Sequence, residues 1–421
     1  MTIKVYFAKN TRQTFVNEYD AVRNTKIPIG YNFPADPKLM QLYVAHKVKT
    51  DPSFLNLSGT GAGKTLSAIL ASRVINSKMT LIVCPNDVVS TWQKTIMLAF
   101  PDSVVKTGND AFYAQYNESK HQYLVLNYDK FSQPYTQERI YDLVQEKIDF
   151  VVLDEIQFIK KRSDSLGGEE SQRRKNLGGL LTEAHKLNRN LKALGLSATP
   201  VINHLSEGIS LLSYITGNKY NDLSDKSTTM NAMALHQKLT LLSIREMPRY
   251  KSEVREHFIN VFADRPKDIH MRFREFVKNP LLIEQYLTKA RIPEIIRCID
   301  NKQTIIYTEY VTGIIEMIAQ AVKDEGYSYA LYIGQSHEEH DLQRFKNEQA
   351  KVLIASKPVS VGVDGLQKSC NNLIINTLPW TNAQYKQLIG RLHRLGQQKD
   401  FVDIHIIMAT MAGYEYDRHK D

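Results

Sequence analysis

Leu57-Ser58-Gly59-Thr60-Gly61-Ala62-Gly63-Lys64-Thr65-Leu66 is a glycine-rich turn that ends in Lys-Thr just ahead of an apolar run of helical character. Gly59, Gly61 and Gly63 allow a backbone path that turns consecutive N–H groups inward, which makes an anion-binding nest at a helix N-terminus. Lys64 then reaches the outer phosphates of a nucleoside triphosphate, and the Thr65 hydroxyl is placed to ligate Mg²⁺. The full pattern G-x-x-x-x-G-K-[ST] asks for glycine at position 58, where this chain has Ser58. That departure favours the shorter G-x-G-K-T variant over the loop of a GTPase or kinase. A dinucleotide-binding G-x-G-x-x-G is excluded, because Lys64 occupies its third glycine position. The nucleotide-holding set is therefore Ser58, Gly59, Thr60, Gly61, Ala62, Gly63, Lys64 and Thr65, with ATP or GTP as ligand.

A phosphate loop needs partners for chemistry. Ile148 to Leu153 reads as an apolar strand ending in Asp154-Glu155-Ile156-Gln157, which puts two carboxylates at the carboxyl end of a parallel strand, where such sheets bind ligands. Asp154 would hold Mg²⁺ through water, and Glu155 would orient or deprotonate the attacking water. Acidic pairs after strands are often mere helix caps. Here the pair follows a phosphate loop by about ninety residues, on a strand expected beside it, and the catalytic reading prevails. Leu196-Ser197-Ala198-Thr199-Pro200 closes another strand. Far downstream, Gln387-Leu388-Ile389-Gly390-Arg391-Leu392-His393-Arg394-Leu395-Gly396-Gln397 carries two arginines three apart, which on a helix share one face. Guanidinium groups so placed can stabilise the charge that spreads over a γ-phosphate in the transition state.

The 421 residues suit two to three domains, and 43% hydrophobic with 24% charged residues is a globular composition. A net charge of +9 is compatible with a polyanionic partner. Cys84, Cys298 and Cys370 are far apart and odd in number, so neither a disulfide framework nor a zinc ribbon is indicated. No stretch approaches the roughly 20 apolar residues of a membrane span, and the N-terminus has no continuous apolar core. A cytoplasmic, non-secreted protein is expected. His337-Glu338-Glu339-His340 has the wrong spacing for the H-E-x-x-H zinc helix and reads as a solvated helix start.

Short β-branched and aliphatic runs recur with room for crossover helices at Thr80 to Cys84, Tyr123 to Asn127, Phe150 to Leu153 and Ala193 to Leu196. A second series lies at Thr304 to Tyr307, Tyr329 to Ile333, Val352 to Ala355, Leu373 to Asn376 and Val402 to Ile407. The expected fold class is α/β: two tandem RecA-like P-loop domains with parallel sheets, joined by a helical connector. The boundaries are an N-terminal extension over 1–34, a first ATP-binding lobe over 35–216, the connector over 217–292 and a second lobe over 293–421. Strand-like runs are missing from the connector, which instead carries Arg245, Arg249, Lys251, Arg255, Arg265, Lys267, Arg272 and Arg274. Lys160-Lys161-Arg162, the glycine pairs 167–168 and 178–179, and Arg173-Arg174-Lys175 predict a mobile surface insertion with two basic triplets.

These motifs, in this order from Gln41 to the C-terminus, resemble the Swi/Snf family of helicase-like, double-stranded DNA translocases within helicase superfamily two. Leu81-Ile82-Val83-Cys84-Pro85 with Thr91-Trp92, then Leu126-Asn127-Tyr128, then Thr199-Pro200-Val201-Ile202-Asn203 through Glu207, follow the family's first-lobe motifs. Met247-Pro248-Arg249-Tyr250-Lys251 loosely echoes its Leu-Pro-x-Lys segment. Ala355-Ser356-Lys357 with Val361 to Leu366, Pro379-Trp380-Thr381-Asn382, and the Gly390 to Gln397 stretch with its Gly-Gln tail are similar to those of the second lobe. Three departures stand out: Ser58-Gly59-Thr60 replaces Asp-Glu-Met, Gln157 replaces the histidine of the D-E-A-H box, and Ser197-Ala198-Thr199 replaces Thr-Gly-Thr.

The resemblance implies ATP over GTP, with Gln41 reading the adenine edge and Gly362 and Asp364 also on the nucleotide. It implies DNA contacts at Pro85, Trp92, Asn127, Tyr128, Gly362 and Trp380, and coupling through Gln157, Ser197, Thr199 and Gln387. The expected protein is a monomeric, ATP- and Mg²⁺-dependent motor on double-stranded DNA, with Lys64, Asp154, Glu155, Arg391 and Arg394 as catalytic groups. A strand-separating DNA or RNA helicase uses the same motor with an added wedge, and an idle nucleic-acid clamp would keep the fold without turnover.

Overall fold

The computed structural model describes residues 2–133, 136–159, 171–201, 204–263, 279–300, 302–334 and 338–411. The chain divides into two compact units, Met1–Pro248 and Arg249–Asp421.

The first unit is built on a seven-stranded parallel sheet: β1 (Ser53–Asn56), β2 (Met79–Cys84), β3 (Val104–Thr107), β4 (Gln122–Asn127), β5 (Phe150–Asp154), β6 (Lys192–Leu196) and β7 (Ser243–Ile244), in the order β3-β4-β2-β5-β6-β1-β7. Its central strands are near-continuous apolar runs because both faces are covered. Along β2, Leu81 and Val83 enter one core while Ile82 and Cys84 enter the other. The helices are α1 (Thr2–Arg23), α2 (Leu39–Thr50), α3 (Lys64–Val74), α4 (Val89–Ala99), α5 (Thr136–Gln145), α6 (Gln172–Leu187), α7 (Leu205–Thr216) and α8 (Thr229–Leu242).

One sequence expectation needs correction here. β6 lies between β1 and β5, so the strand carrying Asp154 is one removed from the strand that feeds the phosphate loop, and Ser197 emerges between them. The 1–34 stretch also packs on this unit: Val22 is buried, Glu18 pairs with Lys47 at 2.8 Å, and the Asn32 N–H donates to the Ala99 carbonyl at 2.9 Å.

The second unit holds a six-stranded parallel sheet of β8 (Glu253–Ala263), β9 (Thr304–Tyr307), β10 (Tyr329–Tyr332), β11 (Val352–Ala355), β12 (Asn372–Ile375) and β13 (Phe401–Met411), ordered β10-β11-β9-β12-β13-β8. Its helices are α9 (Pro280–Ile299), α10 (Ile314–Asp324), α11 (Glu338–Lys346), α12 (Pro358–Gly362) and α13 (Asn382–Ile389).

The described residues of the helical connector expected over 217–292 are shared between the two units. α8 and β7 complete the first unit, the units divide after Pro248, and β8 pairs with β13 from Glu253↔Phe401 to Ala263↔Met411. β8 escaped detection because it is an edge strand: Glu253, Arg255, Glu256 and His257 face solvent, so its text is charged rather than apolar. Arg265, Lys267, Arg272 and Arg274, the Lys160 to Gly168 stretch and His337 lie outside the described residues, whereas Arg173 to Gly179 form part of α6. Among the described residues, no helix is long and apolar enough to cross a membrane, and no group of three His, Cys, Asp or Glu is placed to hold a metal.

Candidate nucleotide site

The phosphate loop runs from the end of β1 to Lys64, the first residue of α3. Gly61 (φ 75°) and Gly63 (φ 93°) adopt the left-handed backbone that side chains resist, and a Cβ at Gly63 would meet Gln41 Nε2 at 2.5 Å. Gln41 is 3% exposed: its Nε2 donates to the Gly63 carbonyl at 3.2 Å and its Oε1 accepts from the Lys38 N–H at 2.8 Å. It therefore braces the end of the loop. The beginning of the loop is fastened to the segment after β7. Leu57 N–H and Gly59 N–H each donate at 2.8 Å to the Ile244 and Glu246 carbonyls, and Ser58 Oγ accepts from the Glu246 N–H at 3.0 Å. The departure at Ser58 thus has a local reason. The Lys64 ammonium donates to the carbonyls of Ser58 at 2.9 Å and Gly59 at 3.1 Å.

Asp154 ends β5 with its carboxyl nearly enclosed. Oδ2 accepts from Trp92 Nε1 at 2.8 Å and Oδ1 from the Glu155 N–H at 3.0 Å. Burial first, then the neighbouring Glu155 charge, raise its pKa to about 6 against the pull of Trp92 and Lys64. Glu155 sits at φ 49°, a left-handed conformation uncommon for a non-glycine residue and typical of functional turns. From there a side-chain relay crosses to β6: Gln157 Nε2 donates to Glu155 Oε2 at 2.6 Å, Ser197 Oγ donates to Gln157 Oε1 at 2.7 Å, and the Thr199 N–H donates to Ser197 Oγ at 2.9 Å. The amide at 157 offers both a donor and an acceptor, which is what this bridge requires. Thr199 Oγ1 is buried with no hydrogen-bond partner.

These features fit a triphosphate with a divalent cation. Burial and the Glu155 charge outweigh the pull of Lys64 on the Asp154 carboxylate, which leaves it open to a further cation; hard oxygen donors suit Mg²⁺, and Lys64 and Thr65 open a helix at its positive end. At neutral pH the ionised Asp154 is a cost to the unliganded fold. Its folded pKa lies above the unfolded 3.8, so its contribution falls as pH rises between about 4 and 6 and stays unfavourable above that. Asp154→Asn removes that charge and is expected to abolish the Mg²⁺-dependent rise in the melting midpoint with ATP at pH 7.5, read by a thermal shift assay.

In the second unit, the expectation that Arg391 and Arg394 share a helix face is not met: α13 ends at Ile389, and both arginines lie in the turns beyond it. They converge instead through Asp364. Arg394 Nη1 donates to Asp364 Oδ1 at 2.5 Å, and Arg391 Nη1 lies 3.7 Å from the same oxygen. Arg391 Nε also donates to the Ser360 carbonyl at 2.8 Å, and its Nη1 to that of Val363 at 3.2 Å. The Gly-Gln tail shapes this turn. Gly396 has φ 93°, and Gln397 Nε2 donates to the carbonyls of Cys370 at 3.0 Å and Leu392 at 3.1 Å.

The residues expected on DNA divide. Trp92 and Tyr128 are 1% and 2% exposed, too enclosed to touch a duplex, and both instead hold Asp154. Pro85 is buried as well, and Asn127 is half-buried, its Nδ2 donating to Asn86 Oδ1 at 2.6 Å. Trp380 is 61% exposed and edge-on to Tyr310. Gly362 ends α12, and Gln387 is half-buried in α13.

Residues 57–247 match the model of the SNF2-related domain, and residues 288–396 match that of the helicase conserved C-terminal domain. The chain belongs to the SNF2-related, helicase-like family. Two relatives of this SNF2-related chain are the uncharacterized ATP-dependent helicase YqhH of Bacillus subtilis, 31% identical over 135 residues, and the DNA repair protein rad8 of Schizosaccharomyces pombe, 30% identical over 118 residues. Those matches take in 30% and 27% of this chain and only 22% and 10% of the relatives' own lengths. A solved Sulfolobus solfataricus SWI2/SNF2 ATPase core in complex with dsDNA aligns over 91% of this chain and 90% of its own, at 17% identity and a TM-score of 0.43.

Sequence reasoning missed three groupings within the two units of this SNF2-related chain. The bond from Trp92 to Asp154 is one, the Ser58–Glu246 fastening another, and the Asp364 clasp on both arginines the third. Each joins residues from 27 to 188 positions apart, and spacing along the chain carries no mark of such contacts.

Proposed function

We propose that the chain is an ATP-driven motor that hydrolyses ATP, with Mg²⁺, to move along double-stranded DNA. The observation that carries this reading is the relay Glu155–Gln157–Ser197, because it ties the carboxylate suited to orienting water to the end of the next strand. A change at the phosphates then alters the Ser197-Ala198-Thr199-Pro200 turn without breaking the sheet.

Lys64 would leave its loop carbonyls for the outer phosphates, and Thr65 and Asp154 would supply oxygens for Mg²⁺. When bound, Mg²⁺ neutralises charge on the phosphate oxygens. Glu155 would take the proton of the attacking water, while Arg391 and Arg394 would stabilise transition-state charge. Gln41 would sit by the adenine and Asp364 near the nucleotide. The match to the SNF2-related domain supports duplex DNA as the track, with the net charge of +9 and exposed Trp380 consistent with backbone contact. Asn127 and Gly362 are the other contact candidates, Thr199 and Gln387 would take part in coupling, and the motor would act as a monomer in the cytoplasm.

Steady-state hydrolysis without nucleic acid, with single-stranded DNA, with blunt duplex and with RNA tests this. Strong stimulation by blunt duplex, falling steeply as salt rises, is expected. Stimulation by single strands or RNA instead would make the chain a helicase, and no turnover with any of them would make it a clamp.

A further inference from the structure

Asp154 is held from outside β5 by two aromatic donors. Trp92 Nε1 donates to its carboxylate Oδ2 at 2.8 Å, and the Tyr128 hydroxyl donates to its main-chain carbonyl at 2.8 Å. Trp92 stands on the inner face of α4, whose outer positions Ser90, Gln93 and Lys94 are exposed. Tyr128 opens the turn after β4 and stacks on Phe158, with ring centroids 5.7 Å apart and planes within 5°. A buried tryptophan N–H needs an acceptor, and any main-chain carbonyl would serve for packing alone. This one is given to the carboxylate itself. Because Glu155 N–H binds the other oxygen, the carboxyl plane is fixed from both sides, and each oxygen keeps a lone pair for a further partner.

We infer that Trp92 is a positioning residue for the divalent cation: its indole N–H sets the orientation in which Asp154 presents its free lone pairs. The inference rests on Asp154 being the Mg²⁺ carboxylate. It also gives α4 a purpose beyond packing, since a displacement of its exposed face moves the donor that aims Asp154. Partners one step removed from a metal typically govern its affinity by roughly tenfold to a hundredfold.

The test uses the full chain and mant-ATP, titrated in EDTA and then with Mg²⁺, for wild type, Trp92→Phe and Trp92→His. The phenylalanine keeps an apolar ring and deletes the N–H; the histidine restores a ring N–H. Trp92→Phe is expected to bind mant-ATP in EDTA as wild type does, to need roughly tenfold to a hundredfold more Mg²⁺ for half-maximal enhancement, and to be partly rescued by histidine. An unchanged Mg²⁺ requirement overturns the inference. So do equal behaviour of the two variants, or loss of binding in EDTA as well, which marks a packing role. A wild type that binds mant-ATP but ignores Mg²⁺ overturns the cation reading of Asp154 and this inference with it. The chain has two tryptophans, so in a Trp380→Phe background the emission of Trp92 reports its own surroundings and should change when Mg²⁺ joins bound nucleotide.

Discussion

Lys64→Ala should bring ATP turnover down by at least roughly a hundredfold to a thousandfold, to the limit of detection, and leave a folded protein. The ammonium donates to the carbonyls of Ser58 and Gly59, groups that water can satisfy once the side chain is gone. The two ends of the loop are secured independently, by Gln41 on Gly63 and by Ser58 and Gly59 on Glu246. Its melting midpoint should therefore stay close to that of wild type. A second consequence follows from charge. Lys64 draws the pKa of Asp154 down, so its removal lets that value climb above about 6. Any residual activity should then lose its acidic limb at a higher pH than wild type does, because a protonated Asp154 offers less to a cation. Turnover near the wild-type rate in a steady-state assay would sink the phosphate-loop assignment.

Much of this site was legible because its chemistry is written locally. Gly61, Gly63, Lys64 and Thr65 sit within five residues, and Asp154-Glu155 closes an apolar run whose length and β-branched content announce a parallel strand. The two-lobed α/β class followed from such runs recurring with helix-sized gaps. What escaped is equally physical. β8 is eleven residues long, yet as an edge strand it wears charge outward, and nothing in its text separates it from a solvated helix. β1, at four residues ahead of the loop, is too short to stand out. Trp92 and Tyr128 illustrate the opposite error: large aromatic groups near a nucleic-acid motif invite a surface role, and only burial decides. The arginine turn was misread because a helical period was assumed past Gly390, where Gly396 at positive φ and the Gln397 amide fold the chain back on itself. In each case the missing information is a tertiary contact.

Arg394→Ala is expected to lower turnover by roughly a thousandfold or more with ATP affinity almost unchanged, the signature of a guanidinium that acts in the transition state. Arg394 is a cleaner probe than Arg391. Arg391 holds the carbonyls of Ser360 and Val363, so its loss loosens the 360–364 loop and mixes structural with catalytic effects. Arg394 pairs with Asp364, a half-exposed carboxylate, and a pair of that kind adds about 0–1 kcal/mol to stability, so the variant should melt close to wild type. The turn itself is kept by Gln397, which does not depend on Arg394's side chain. Arg394→Lys separates charge from geometry: it keeps one positive charge but not the planar fork, and should recover only a small part of the lost rate. Asp364→Asn frees both guanidinium groups from their common carboxylate; if that clasp restrains them before ATP arrives, turnover without nucleic acid should rise. Two results in mant-ATP binding and single-turnover hydrolysis would reverse the assignment. Collapse of binding in Arg394→Ala would make the residue a ground-state ligand, and retention of the full rate would return the arginine pair to a surface role.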